Sequence, residues 1–177
     1  MKLVILDRDG TINHDSDSFI KSPGEWRPIE GSVEAIARLT QAGYRTVVAT
    51  NQSGIARGLL DTTTLVSIHD RLQRAAAQVG GRIDAFFFCP HAADAGCQCR
   101  KPQPGMLLEA ARRFNVAIED VFMVGDALRD VQAAAAAGAR PVLVLTGKGK
   151  ATRDEGELPP GTQVFPDLAA FAEHLAP

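Results

Sequence analysis

Leu3-Val4-Ile5-Leu6-Asp7-Arg8-Asp9-Gly10-Thr11 is an apolar run that stops abruptly on a carboxylate. A short unbroken run containing β-branched residues has the character of a strand buried on both faces, so the polar residues after it sit at that strand's carboxyl end. Comparable runs recur at 46–49, 85–88, 121–124 and 142–145, with a weaker one at 164–165. Between them, helical patterns cover 32–41, 63–79, 105–114, 128–137 and 168–175. Gly31-Ser32 and Asp61-Thr62 supply start signals, and Gly43, Gly80 and Gly138 supply stops. Strands alternating with helices predict an α/β fold, a doubly wound parallel sheet with helices on both faces.

In such a sheet, ligands bind beyond the carboxyl ends of the strands, where the strand order reverses. Asp7-Arg8-Asp9-Gly10-Thr11 follows the first run, Thr50-Asn51-Gln52-Ser53-Gly54 the second, and Gly125-Asp126 the fourth. Three segments far apart in the chain are thereby expected on one edge of one sheet. The 177 residues fit a single domain, 1–177, with no internal repeat and no interdomain linker. The stretch 147–161, rich in Gly, Pro and charge, reads as a surface loop.

Composition narrows the function classes. A net charge of −2 gives no basic field for nucleic acid or an anionic membrane, so basic residues are expected to act at particular positions. No segment approaches the ~20 apolar residues of a membrane span, and the first apolar run is too short for a signal peptide. A cytoplasmic protein is expected, monomeric, with no nucleic-acid or membrane partner. The three cysteines, Cys89, Cys97 and Cys99, are odd in number and crowded together, which does not describe a disulfide framework.

A single Asp at a strand end is ordinarily a cap or turn residue. Asp-Xaa-Asp-Gly-Thr asks for more. Gly10 permits a sharp turn, so that Asp9 faces the same pocket as Asp7. One carboxylate can attack phosphorus and form an acyl-phosphate, while a second protonates the leaving oxygen and then helps water hydrolyse the intermediate. Two such groups need different protonation states, so Asp9 is expected to have the raised pKa. Asp126 and Asp130, one helical turn apart, are expected on one face, where Asp126 with Asp7 can hold Mg²⁺. Lys101 can offer an ammonium to phosphoryl oxygens, and Thr50 a hydroxyl. The plainer reading of Asp126-Ala127-Leu128-Arg129-Asp130 is a helix start with a solvated face.

Taken in order, Asp7-Arg8-Asp9-Gly10-Thr11, Thr50, Lys101 and Gly125-Asp126 through Asp130 resemble the four signatures of the haloacid-dehalogenase-like phosphatases. The resemblance spans nearly the whole chain. It implies an α/β fold with Mg²⁺ held by Asp7, the Asp9 carbonyl and Asp126, and Asp130 as an outer ligand or orienter. Many members carry a large cap domain, for which the gaps between signatures leave no room here. Specificity is then expected from the loops 13–28, 52–60 and 89–100.

The last of these loops holds Cys89-Pro90-His91 and Cys97-Gln98-Cys99. Three thiolates and an imidazole match a closed, structural Cys₃His zinc site, a zinc-binding loop at 89–99. Cys99 runs directly into Arg100-Lys101-Pro102, so such a metal would also direct those two side chains. This layout, with Thr50 through Gly58, resembles the heptose bisphosphate phosphatases of the histidinol-phosphate-phosphatase-like subgroup. Histidinol-phosphate phosphatases typically read Asp-Gly after Asn-Gln, whereas this chain has Ser53-Gly54. The zinc loop is shorter than in familiar heptose enzymes, and Ala127 stands where a Lys can follow the metal-binding Asp.

The resemblance implies Mg-dependent hydrolysis of the 7-phosphate of D-glycero-D-manno-heptose 1,7-bisphosphate, giving heptose 1-phosphate and phosphate for lipopolysaccharide biosynthesis. Asp7 would be the nucleophile, Asp9 the acid/base, and Thr50 and Lys101 the phosphoryl holders. Asn51, Gln52, Ser53, Arg57 and Arg100 would complete substrate binding. Histidinol phosphate is the alternative substrate. A receiver-like phosphorylation switch is the non-enzyme alternative, against which Asp9 argues, because fast hydrolysis would erase the signal. A nucleic-acid end phosphatase lacks the basic surface. His14, in the first specificity loop, either is solvated or touches substrate. His69 and His174 read as surface residues, and Trp26 either stacks on a sugar or anchors its loop.

Overall fold

The computed structural model describes residues 1–177. Its strands are β1 (Lys2–Leu6), β2 (Tyr44–Asn51), β3 (Ala85–Cys89), β4 (Phe122–Gly125), β5 (Arg140–Val144) and β6 (Gln163–Phe165). They form one six-stranded sheet in the order β3-β2-β1-β4-β5-β6, every pair parallel. The chain lays β2 and then β3 outward from β1, then returns to β1's other side with β4. The order therefore reverses between β1 and β4, and the crevice beyond their carboxyl ends is where a ligand belongs.

Six helices connect the strands: α1 (Ser32–Gln41), α2 (Thr62–Gln78), α3 (Gly105–Phe114), α4 (Leu128–Ala137), α5 (Gly149–Glu155) and α6 (Leu168–Leu175). The period-2 alternation of β1 divides the core between the two faces. Val4 and Leu6 pack with Ile36, Leu39, Leu65, Ile68 and Phe171 from α1, α2 and α6. Leu3 and Ile5 pack with Met106, Leu107, Ala110, Ala133 and Ala134 from α3 and α4. Burying each of the large side chains contributes ~1.5–3 kcal/mol, which is why the apolar runs cannot slip by one residue. The alanines of α4 let that helix lie close on the sheet. Asp61 caps α2 by accepting from the Thr64 N–H at 2.7 Å, as its start signal anticipates.

Two expectations are corrected. The stretch 147–161 is not all loop, because α5 lies within it. Gly149 is there for close approach, since a Cβ on it would collide with the Val144 carbonyl. The Thr152 hydroxyl ties the helix down by donating to the Asp126 carbonyl. His69 is not a surface residue: it is buried and stacked on Phe86, ring centroids 4.4 Å apart. Positions 65, 68, 69, 72 and 76 form the buried stripe of α2, and His69 occupies the place of an apolar residue. Trp26 is buried as a loop anchor, and Arg71 beside its ring donates to the Pro23 carbonyl at 2.6 Å. His14 and His174 are exposed.

Candidate active site

The site lies at the predicted sheet edge. Lys101, from the loop after β3, is buried with its Nζ 3.0 Å from Asp7 Oδ1 and 2.7 Å from Asp130 Oδ1. The same ammonium donates to the Ala49 carbonyl at 2.8 Å. Burial alone would depress it, but Asp130 and Asp7 outweigh that and hold its pKa above the ordinary lysine value. Asn51 fixes the backbone that presents it, accepting from the Lys101 N–H and donating to the Lys101 carbonyl, both at 3.0 Å. Both ends of the Asn51 amide are therefore engaged with protein. Thr50, at the end of β2, is buried, and its hydroxyl accepts from Gln52 Nε2 at 2.9 Å.

The carboxylates of Asp7, Asp126 and Asp130 each bring an oxygen within 4.8 Å of the others. Burial, with Asp130 adding to it, pushes the Asp7 pKa up to about 6, and burial with Asp7 pushes Asp126 up to about 8. Asp126 precedes α4 instead of lying on it. Asp130 meets it by reaching back, its Oδ2 accepting from the Ala127 N–H at 3.0 Å. Its other oxygen faces the Lys101 ammonium. Asp126 is different: Oδ2 accepts from the Lys148 N–H at 2.8 Å, while the buried Oδ1 has no partner. Gly10 and Gly147 press against this carboxylate so closely that a Cβ on either would collide with it. Crowded, desolvated carboxylates with one unmatched oxygen fit a divalent cation.

Asp9 departs from expectation. Arg8 donates to it twice, Nε to Oδ1 at 2.9 Å and Nη2 to Oδ2 at 3.2 Å. Asn13 donates to Oδ1 at 2.9 Å and Gln52 to Oδ2 at 3.2 Å. Burial pushes its pKa up, but Arg8 and the two amides outweigh it and hold Asp9 below the usual carboxylate range. The raised pKas fall instead on Asp7 and Asp126.

Beyond Lys101 the cysteine cluster closes on itself. Cys89 Sγ lies 3.4 Å from His91 Nδ1, 3.7 Å from Cys97 Sγ and 3.1 Å from Cys99 Sγ, and His91 Nδ1 lies 3.2 Å from Cys99 Sγ. Four ligands at ~2.0–2.3 Å from a tetrahedral ion stand about 3.3–3.8 Å apart. Two of these distances fall in that range and two are slightly shorter, and the donor set of three thiols and an imidazole fits zinc. Next to it a cavity of about 400 Å³ is lined by Cys97, Arg100, Lys101, Gln103 and Arg129. Arg129 was not among the sequence candidates. Its Nε is buried without a hydrogen-bond partner. Ser53 is half-buried, and Arg57 is exposed, its guanidinium 5.5 Å from the Phe19 ring centre. A larger hollow of about 680 Å³ between α1 and α6 has none of these residues in its lining.

A family model described as HAD-hydrolase-like matches residues 98–171. The chain is 61% identical to the D-glycero-beta-D-manno-heptose-1,7-bisphosphate 7-phosphatase of Bordetella bronchiseptica, over 99% of this chain and 98% of that one. The Pseudomonas putida protein of the same name is 53% identical, covering 99% of each chain. A crystal structure of the B. bronchiseptica D,D-heptose 1,7-bisphosphate phosphatase, complexed with magnesium and phosphate, superposes with a TM-score of 0.97 at 60% identity, covering 99% of this chain and 98% of that one.

Proposed function

Because the chain belongs to the D-glycero-beta-D-manno-heptose-1,7-bisphosphate 7-phosphatase family of haloacid-dehalogenase-like hydrolases, we propose that it hydrolyses the 7-phosphate of that heptose bisphosphate, leaving heptose 1-phosphate. The observation that carries this reading is the 61% identity sustained over 99% of the chain.

In the first half-reaction an Asp7 oxygen bonds to phosphorus as the bond to the sugar oxygen breaks, and the Asp9 proton goes to that departing oxygen. The incoming phosphate is an anion placed beside Asp9, which raises its proton affinity above that of the resting carboxylate. In the second half the Asp9 carboxylate takes a proton from water. The water oxygen bonds to phosphorus, the bond to Asp7 breaks, and inorganic phosphate leaves. Thr50 and Lys101 hold the phosphoryl oxygens, and Asn51 serves by fixing Lys101. Gln52, Ser53 and Arg57 line the approach, while Arg100 and Arg129 supply charge for the remote phosphate. Asp7, the Asp9 carbonyl and Asp126 would hold Mg²⁺, which supplies charge to neutralise the phosphoryl oxygens. Cys89, His91, Cys97 and Cys99 would hold a structural Zn²⁺ that braces the loop presenting Arg100 and Lys101. The protein is read as a cytoplasmic monomer acting on a small sugar bisphosphate. No helix is long and apolar enough to cross a membrane.

The deciding experiment follows the product by ³¹P NMR. The reading requires the 7-phosphate signal to disappear while the 1-phosphate signal persists. Loss of the 1-phosphate, or no turnover, overturns it.

The two metals are expected to be separable. Mild chelation removes Mg²⁺ and stops turnover reversibly, because few protein groups hold it, while zinc stays on its thiolates. In the magnesium-free, zinc-loaded protein, the folded pKa of Asp126, about 8, lies far above its unfolded value. The folded state then binds the extra proton, so this group's stability contribution is complete at low pH and is lost as pH rises through about 8. One such group gives a slope of up to ~1.4 kcal/mol per pH unit, lowering the Tm by several degrees between about pH 6.5 and 8.5. Added Mg²⁺ should abolish that slope. Cys97→Ser should lower stability and weaken substrate binding. Protein purified without zinc, or a Cys97→Ser variant normal in both respects, refutes the zinc site.

A further inference from the structure

Arg8 and His69 have no part in the reaction as described, yet both are buried directly behind it. Arg8 is 0% exposed, and its guanidinium is occupied on two sides. Nε and Nη2 grip both oxygens of Asp9, and Nη1 lies 3.2 Å from His69 Nε2. A guanidinium only donates, so His69 Nε2 must accept, which places the imidazole proton on Nδ1 and leaves the ring neutral. Burial, reinforced by Arg8, pushes the His69 pKa down to about 3, in keeping with that neutral state. The ring cannot turn away, because it lies flat on Phe86 with an interplanar angle of 11°. A Leu at this position on α2 would continue the apolar stripe of Leu65, Ile68 and Leu72. What His69 adds is an acceptor, fixed in place, for the one arginine that holds Asp9.

We propose that His69 and Arg8 are positioning residues that aim the Asp9 carboxyl at the leaving oxygen. This rests on the reading of Asp9 as the acid/base. Asn13 also donates to Oδ1 and Gln52 to Oδ2 of the same carboxyl, so releasing Arg8 lets Asp9 swing without freeing it.

The test uses the leaving group. A sugar alkoxide needs the Asp9 proton to depart, whereas p-nitrophenolate leaves readily without one, and kcat/KM reports the steps through phosphoryl transfer. His69→Leu should lower kcat/KM for heptose 1,7-bisphosphate ~10-fold or more, yet lower it for p-nitrophenyl phosphate by less than ~3-fold. His69→Gln, whose amide oxygen can accept from Arg8, should recover most of the alkyl-phosphate loss. A purely structural His69 lowers both substrates alike and is not rescued selectively. Equal losses on the two substrates, or none, overturn the proposal. If thermal melting shows His69→Leu unfolded, Arg8→Lys carries the same comparison, since it keeps the buried charge but loses the two-pronged grip. If the wild-type enzyme fails on heptose 1,7-bisphosphate, the functional reading falls. The alkyl-to-aryl ratio is then read with the alkyl phosphate it turns over best.

Discussion

Asp7→Asn is expected to abolish turnover, by at least ~10⁴-fold, while the protein stays folded. The amide is close in shape to the carboxylate but cannot attack phosphorus to give an acyl-phosphate. Stability should not suffer. Burial and Asp130 already make the ionised Asp7 unfavourable in the metal-free protein, as its pKa of about 6 records. Lys101 loses one anion and keeps the other, Asp130 at 2.7 Å. The metal-free variant should therefore melt no lower than the wild type at pH 7. Asp9→Asn fails differently: it still binds substrate, and from p-nitrophenyl phosphate, whose leaving group needs no proton from Asp9, it accumulates phosphoenzyme because no base activates the hydrolytic water. Acid-quenched protein from ³²P-labelled p-nitrophenyl phosphate should thus carry phosphate on Asp9→Asn and none on Asp7→Asn. Near-normal turnover by Asp7→Asn, or label on that variant, would rule out the covalent mechanism.

Strand ends were legible in the sequence because an apolar run stops sharply at Asp7, Thr50 and Asp126, and the parallel order then brings those ends together. The cysteine cluster was legible because its donors are crowded along the chain. What escaped notice depends on distant contacts. Arg8 is a charged residue beside two candidate aspartates, and nothing local says that its guanidinium is buried against a histidine 61 positions away. His69 did leave a signal, since it falls on the 65, 68, 72 stripe of α2, but its polarity made it read as exposed. Arg129 shares a helical turn with Asp130, and only the docking of α4 turns it toward the cavity beside Lys101. The expected pKa split between Asp7 and Asp9 inverted for a similar reason. Asp9 collects donors from Arg8, Asn13 and Gln52, while Asp7 shares a desolvated space with two other carboxylates.

Substrate choice gives the second large effect: kcat/KM for heptose 1,7-bisphosphate should exceed that for histidinol phosphate by at least ~100-fold, about 2.7 kcal/mol of transition-state binding. A second phosphate contributes binding energy remote from the reacting phosphorus, and cations must be waiting for it. Arg100 and Arg129 line one cavity beside Lys101, and the Arg129 Nε has no hydrogen-bond partner inside the protein. A buried guanidinium N–H without an acceptor is costly to the resting enzyme, and a phosphate oxygen can satisfy it through a charge-assisted bond. Arg57 is the weaker candidate, being exposed and packed against Phe19. Histidinol phosphate has no second phosphate and brings an ammonium toward these arginines. The measurement is the ratio of kcat/KM for each substrate to that for p-nitrophenyl phosphate, which cancels losses common to all phosphoryl transfer. Arg100→Ala and Arg129→Ala should each shrink the bisphosphate ratio ~10-fold or more, mainly through KM, and raise or leave level the histidinol ratio. Combined, they should lose less than the product of the single effects, because both grip the same anion. Wild-type enzyme that turns over histidinol phosphate as well as the heptose bisphosphate would transfer the assignment to the histidinol enzymes. Strict multiplicativity would show that the two arginines serve separate groups.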